Sequence, residues 1–168
     1  MTLTIYDAAI PVLKRGLTNL SAILAKAEAS AEARKIDPAV FLASRLAPDM
    51  FPLSRQVQLV SDGAKGGAAR LAGVEAPSFP DTETTFAELQ ERIAKTIAYL
   101  DSFRTEQFAG AESRDILFKT PNGDFSFTGH NFLLTFVLPN VYFHIVTAYN
   151  LLRHNGVDIG KFDYLGRP

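Results

Sequence analysis

The sequence contains no cysteine. Disulfides, iron–sulfur clusters, thiolate zinc sites and cysteine nucleophiles are therefore excluded. A chain without thiols also fits a reducing compartment. There is no excess charge of either sign: 17 Lys and Arg stand against 18 Asp and Glu, for a net −1 at pH 7. The two signs are interspersed, so there is no basic stripe to follow a phosphate backbone, and nucleic acid is not an expected partner. No uninterrupted apolar run reaches membrane-spanning length. The densest stretch, from Phe132 to Val146, is broken by Thr135, Pro139, Asn140 and His144. It reads as a buried helix, and no membrane association is expected. The N-terminal residues MTLTIYDAAIPVLKRG lack the charged, apolar and small-residue regions of a secretory leader, so the expected location is the cytoplasm. The chain also lacks G-x-S-x-G, a Walker loop, a dinucleotide-binding G-x-G-x-x-G and H-E-x-x-H.

What is present is a chain of 168 residues, 47% apolar and 21% charged. That composition suits one globular domain over residues 1–168 with a core large enough to need no covalent staples. Helical spacing dominates. Residues Thr4 to Ala33 carry Ile5, Ala9, Leu13, Leu17, Leu20 and Leu24 on one side, with Pro11 placed to kink the helix. Asp37-Pro38 starts a short helix, which Ala47-Pro48-Asp49 ends. A second long helix runs from about Phe51 to Leu71, with Leu53, Val57, Val60, Ala64, Ala68 and Leu71 on its stripe and Gly73 as its stop. Its small residues, Gly63-Ala64 and Gly66 to Ala69, allow a neighbouring helix to come close. Gln58, Asp62 and Lys65 are placed on its wetter side.

A third helix follows the linker APSFPDTE, capped by Thr84 or Thr85 and reaching Phe103. Glu91 and Lys95 form an i,i+4 pair on its wet face. Residues 115–127 break the helical pattern. Alternating residues flank Pro121-Asn122-Gly123, which predicts a β-hairpin. The last helix spans Gly129 to His154, ends at Asn155-Gly156, and is apolar nearly all round. It is therefore expected to be the most buried, with Pro139 bending it. The tail from Val157 is expected to be irregular and to pack back on the surface or on a partner chain.

Chemistry concentrates on that last helix. Asn140, His144 and Thr147 share one face, within about 60° at 100° per residue. Three polar groups on an apolar helix need partners inside the fold or a cavity to line. Gln56, at the edge of the second long helix's stripe, is the best-placed residue to meet them. His154 lies roughly 15 Å further along the axis than His144 and is a last-turn residue favoured by the helix dipole. His130 caps or flanks the helix start. A core histidine hydrogen-bonded to Gln56, Asn140 or Thr147 is the simplest reading of His144. Tyr142 and Tyr149 lie opposite the polar stripe, on a dimer face or in the core.

The segments RLAPDMFPLSRQVQLVSDGAKG and FTGHNFLLTFVLPNVYFHIVTAYNLLRHNGVDIGKFDYLG, with the hairpin between them, resemble the DinB/YfiT-like superfamily of metalloenzymes, in a branch catalogued only as a domain of unknown function. The resemblance covers nearly the whole chain. It implies an all-α, up-down-down-up antiparallel four-helix bundle with a small hairpin before the last helix. Metal-binding members use three histidines, one from helix two and an HxxxH pair from helix four. His144 matches the second of the pair, and Gly156 keeps its spacing. The first of the pair is Asn140 here, and the helix-two position is Gln56. One imidazole of three remains, and carboxamides are poor ligands for Zn²⁺ or Ni²⁺. Three functions stay open. The first is small-molecule binding in a pocket lined by Gln56, Asn140, His144 and Thr147. The second is a divalent-metal hydrolase or thiol-dependent transferase with His144 as the metal ligand. The third is a non-catalytic structural or interaction protein. A homodimer is expected in each case.

Overall fold

The computed structural model describes residues 3–120 and 123–167. Four long helices carry the chain: α1 (Ile5–Ala33), α3 (Leu53–Ala72), α4 (Phe86–Asp101) and α5 (Gly129–His154). Among the described residues they are joined by two short helices, α2 (Pro38–Ala43) and α6 (Lys161–Leu165), by two 3-10 turns at Thr105–Phe108 and Ala111–Ser113, and by a hairpin of β1 (Asp115–Thr120) and β2 (Gly123–Thr128). The strands are antiparallel, with Ile116 opposite Phe127 and Phe118 opposite Phe125. The residues Pro121 and Asn122 of the expected turn lie outside the described residues.

The helix boundaries follow from capping. Thr4 accepts a hydrogen bond from the Asp7 amide while the Asp7 carboxylate reaches back, closing a reciprocal cap on α1. Thr85 and Glu88 repeat the arrangement on α4. Asp37 caps α2 with Pro38 at its first position. Gly73 ends α3 at φ 73°, the left-handed region that suits glycine. The α3 stripe expected from spacing is fully buried. It joins one continuous core with Leu13, Leu17 and Leu20 of α1, Leu89 and Ile93 of α4, and Val141, Ile145 and Leu151 of α5.

α3 packs most extensively against α5, and the two run antiparallel. Gln56 meets His144, Gly63 abuts Asn140 and Val141, and Gly67 abuts Val137. A Cβ at Gly67 would lie 2.6 Å from Val137 Cγ1, and one at Gly63 would lie 3.0 Å from Val141 Cγ2. The glycines set the interhelix distance, as their positions in the sequence predict.

Three expectations need correction. Gln58 and Lys65 are buried, not wet, because the linker after α3 folds back over that side. It is pinned there by the buried guanidinium of Arg92 from α4. Arg92 Nη2 is 2.8 Å from Asp62 and 3.1 Å from Asp81, and Nη1 is 2.9 Å from Glu83. The tail is not irregular throughout: α6 packs on α1, with the Tyr164 carbonyl accepting from Asn19 at 2.9 Å. Pro139 is not the only irregularity in α5. The helix widens into a π-type stretch over Phe132–Val137 just before it, and this absorbs the clash and lost hydrogen bond of a proline inside a helix. Finally, α5 is not buried all round: Leu134, Tyr142, Phe143 and Val146 are exposed. By length and composition α5 is also apolar enough to cross a membrane, although α1 and α3 pack its other side as a core helix.

Candidate functional site

The close approach of α3 to α5 leaves a cavity at one side of their seam. Its volume is about 500 Å³, within the range of small-molecule sites. Gly63, Gly66 and Gly67 form its floor and Phe118, Phe132 and Phe136 an aromatic wall. Ala76 to Ser78 of the pinned linker close a third side. Phe118 stands 4.7 Å from Phe136, centroid to centroid, and Phe132 stacks on Phe136 at 5.6 Å. The hairpin therefore contributes directly, by carrying Phe118 across the helices.

Two polar residues of the α5 stripe face this cavity, Asn140 and His144. The orientation of His144 follows from a chain of hydrogen bonds. The Gln56 Nε2 amide donates to the Phe51 carbonyl at 3.0 Å, which fixes which end of that carboxamide is which. Gln56 Oε1 then lies 2.8 Å from His144 Nδ1. An amide oxygen only accepts, so Nδ1 carries the proton and donates. The other nitrogen, Nε2, is left with its lone pair and has no protein partner among the described residues. Burial, with a smaller contribution from the Arg55 charge, holds the His144 pKa below its ordinary value, so the ring stays neutral. The carboxamide of Asn140 likewise has no protein hydrogen bond among the described residues.

Gln56 and Thr147 stand differently. Gln56 is buried behind His144 and supports it without lining the cavity. Thr147 is buried, and its hydroxyl donates to the Phe143 carbonyl of its own helix at 2.7 Å, away from the cavity. The spacing argument places Thr147 correctly on the helix wheel but cannot reveal that its hydroxyl folds back onto the preceding turn. His130 and His154 are exposed at opposite ends of α5.

Sequence reasoning missed Arg70. Its Nη1 donates to the Gly66 carbonyl at 2.9 Å and its guanidinium lies 4.9 Å from the Phe118 centroid, at the mouth of the cavity. It has no carboxylate partner among the described residues. Burial lowers its pKa from the ordinary value. A signal was present: Arg70 follows Gly63, Gly66 and Gly67 by seven, four and three residues, and so shares their helix face.

The donors do not fit a divalent metal. His144 offers one nitrogen, and both ends of the Gln56 carboxamide are committed. Asp62, at the cavity edge, is already paired with Arg92 and Lys65 at 2.8 and 2.9 Å. No group of three His, Asp or Glu side chains converges among the described residues. Zinc and nickel need three or four good donors.

Fold and cavity together define a mostly helical protein whose seam between two helices is dry on one wall and polar at its ends. Comparison with known proteins gives that class a family. The model of a domain of unknown function, DUF1993, matches residues 5–165, and the chain belongs to that family. It is also similar to the crystal structure of a DinB family member protein from Shewanella denitrificans. The two share 48% sequence identity and a TM-score of 0.91, over 98% of this chain and 93% of that one. The DinB-like fold is thereby shown, in agreement with the resemblance drawn from the sequence. No curated protein matches.

Proposed function

We propose that this chain binds a small organic molecule in the cavity between α3 and α5, in an up-down-down-up bundle whose ancestral metal position has become a hydrogen-bonding site. One observation carries the reading. His144 and Asn140 line the same cavity, and neither His144 Nε2 nor the Asn140 carboxamide has a protein hydrogen-bond partner among the described residues, while Gln56 and Thr147 have theirs close by. Polar groups held ready at the end of an apolar cavity are what fixes a ligand's orientation in most small-molecule sites. An imidazole locked in this tautomer is also competent to accept a proton from a bound molecule, which keeps a catalytic role compatible with the same geometry.

Ligand-observed NMR with a fragment library tests the reading. Fragments should compete for one site, and His144→Leu with Asn140→Leu should abolish the binding while the far-UV circular dichroism is unchanged. Fragments that bind the double variant as well as the wild type would place the site elsewhere. Elemental analysis of protein purified without chelator or a nickel column should find zinc and nickel well below one per chain. A full equivalent that His144→Ala removes would favour the metal-dependent alternative.

A further inference from the structure

Resting on that reading, we infer that the ligand is an aromatic or similarly flat organic anion, about 10 Å long, whose acidic group meets Arg70 and whose far end donates a hydrogen bond to His144 Nε2. The two ends of the cavity have opposite demands. At one, Nε2 presents a lone pair and no proton, because Nδ1–H is committed to Gln56. A ligand atom there must be an O–H or N–H. At the other, a guanidinium has one nitrogen on the Gly66 carbonyl and a face on Phe118, with no acid opposite among the described residues. Its free N–H groups present the fork that a carboxylate matches in two bonds.

The other charges around the cavity do not compete for that role. Lys65 is held by Asp62 at 2.9 Å, and Asp62 by Arg92 at 2.8 Å. Between the ends, Phe118, Phe132 and Phe136 supply a flat apolar wall opposite the glycine floor. The length follows from helix rise. Three residues separate Gly66 from Gly63, where Asn140 abuts, and four more lie between Asn140 and His144, which gives roughly 10 Å along the axes. Asn140, midway, both donates and accepts, and so tolerates either kind of group on the ligand's edge.

The test uses three probes with the full chain: p-coumarate, an aromatic acid with a phenol at its far end; its methyl ester; and p-methoxycinnamate. Binding is read from the backbone amide signals of Gly63, Gly66 and Gly67 in nitrogen-15-labelled protein. p-Coumarate should shift these signals saturably. The ester should bind about tenfold or more weakly, the loss expected for a charge-assisted pair. p-Methoxycinnamate, which has no donor for Nε2, should also bind more weakly than p-coumarate. Arg70→Gln should bring acid and ester to the same affinity, and Arg70→Lys, which keeps the charge but not the fork, should fall between. Acid and ester binding equally to the wild type would overturn the anion inference and leave the cavity's ligand-binding role standing. Absence of any shift with all three probes up to their solubility would overturn both.

Discussion

The proton on His144 is decided two hydrogen bonds away, at the carbonyl of Phe51. That carbonyl orients Gln56, and Gln56 orients the ring. Replacing Gln56 by Glu keeps the shape and changes the charge. A carboxylate beside Nδ1–H favours the imidazolium, so the His144 pKa should rise by about one to three pH units. NMR titration of the ring protons reads this directly, and an unchanged value would show that the ring does not donate to residue 56. In the wild type the sign is the reverse. The folded pKa is depressed, so below about 6.5 the unfolded chain binds the proton first. The contribution of His144 to stability is therefore complete above that value and is lost as pH falls toward the folded pKa. Urea melts from pH 7.5 down to about 5.5 should show this slope, and His144→Phe should flatten it.

At the scale of helices, the seam between α3 and α5 depends on missing side chains. Gly67→Ala puts a methyl 2.6 Å from Val137 Cγ1, so either Val137 or one of the helices must shift. Overpacking of this kind costs about 1–3 kcal/mol. Adding Val137→Ala removes the two nearest carbons and should recover part of the loss in urea denaturation; additive destabilisation would mean that the clash is absorbed elsewhere. Much of this level was legible in the sequence. The α3 stripe, the Asp37 and Thr85 caps and the Gly73 stop depend on local spacing and local hydrogen bonds, and all stand where expected. The burial of Gln58 and Lys65 was not legible, because it depends on where a linker twenty residues further on folds back and on Arg92 arriving from another helix. The same limit applies to the site. His144 and Asn140 were found from one helix wheel, and Gln56 as the residue facing them. Phe118 needed the hairpin's placement, which no periodicity encodes, and Arg70 shares the glycines' helix face without any sign in the sequence of the ring it meets there.

At the scale of the whole molecule, one apolar face of α5 is left bare by the chain's own packing among the described residues. Between Asn131 and Leu152 there is no Asp, Glu, Lys or Arg, and Tyr142, Phe143 and Val146 of that stretch point outward. We propose that a second copy covers this face, which also accounts for the overall apolarity of α5. Light scattering should give a dimer for the wild type and a folded monomer for Phe143→Glu, since a carboxylate buried at the centre of such a contact finds no partner. A wild-type monomer at the concentrations of that measurement would refute the proposal. Phe143 packs edge-on against His144 at 5.3 Å between ring centroids, so dimer formation and ring titration should be linked. The Phe143→Glu variant should show a shifted His144 pKa.

Gly66 has a further consequence, because alone among the three glycines of the seam it faces no packed core atom. The nearest obstacle to a side chain there is the flexible tip of Arg70, at 2.8 Å, rather than a packed core atom. Alanine in mid-helix gains about 0.5–1 kcal/mol over glycine. Gly66→Ala should therefore give a sturdier protein in thermal or urea melts and a poorer receptor in the probe titration, because the methyl displaces the guanidinium from the cavity mouth. A chain selected for robustness alone would carry alanine at this position. On the proposed function, the glycine keeps the guanidinium at the cavity mouth at the cost of some helix stability.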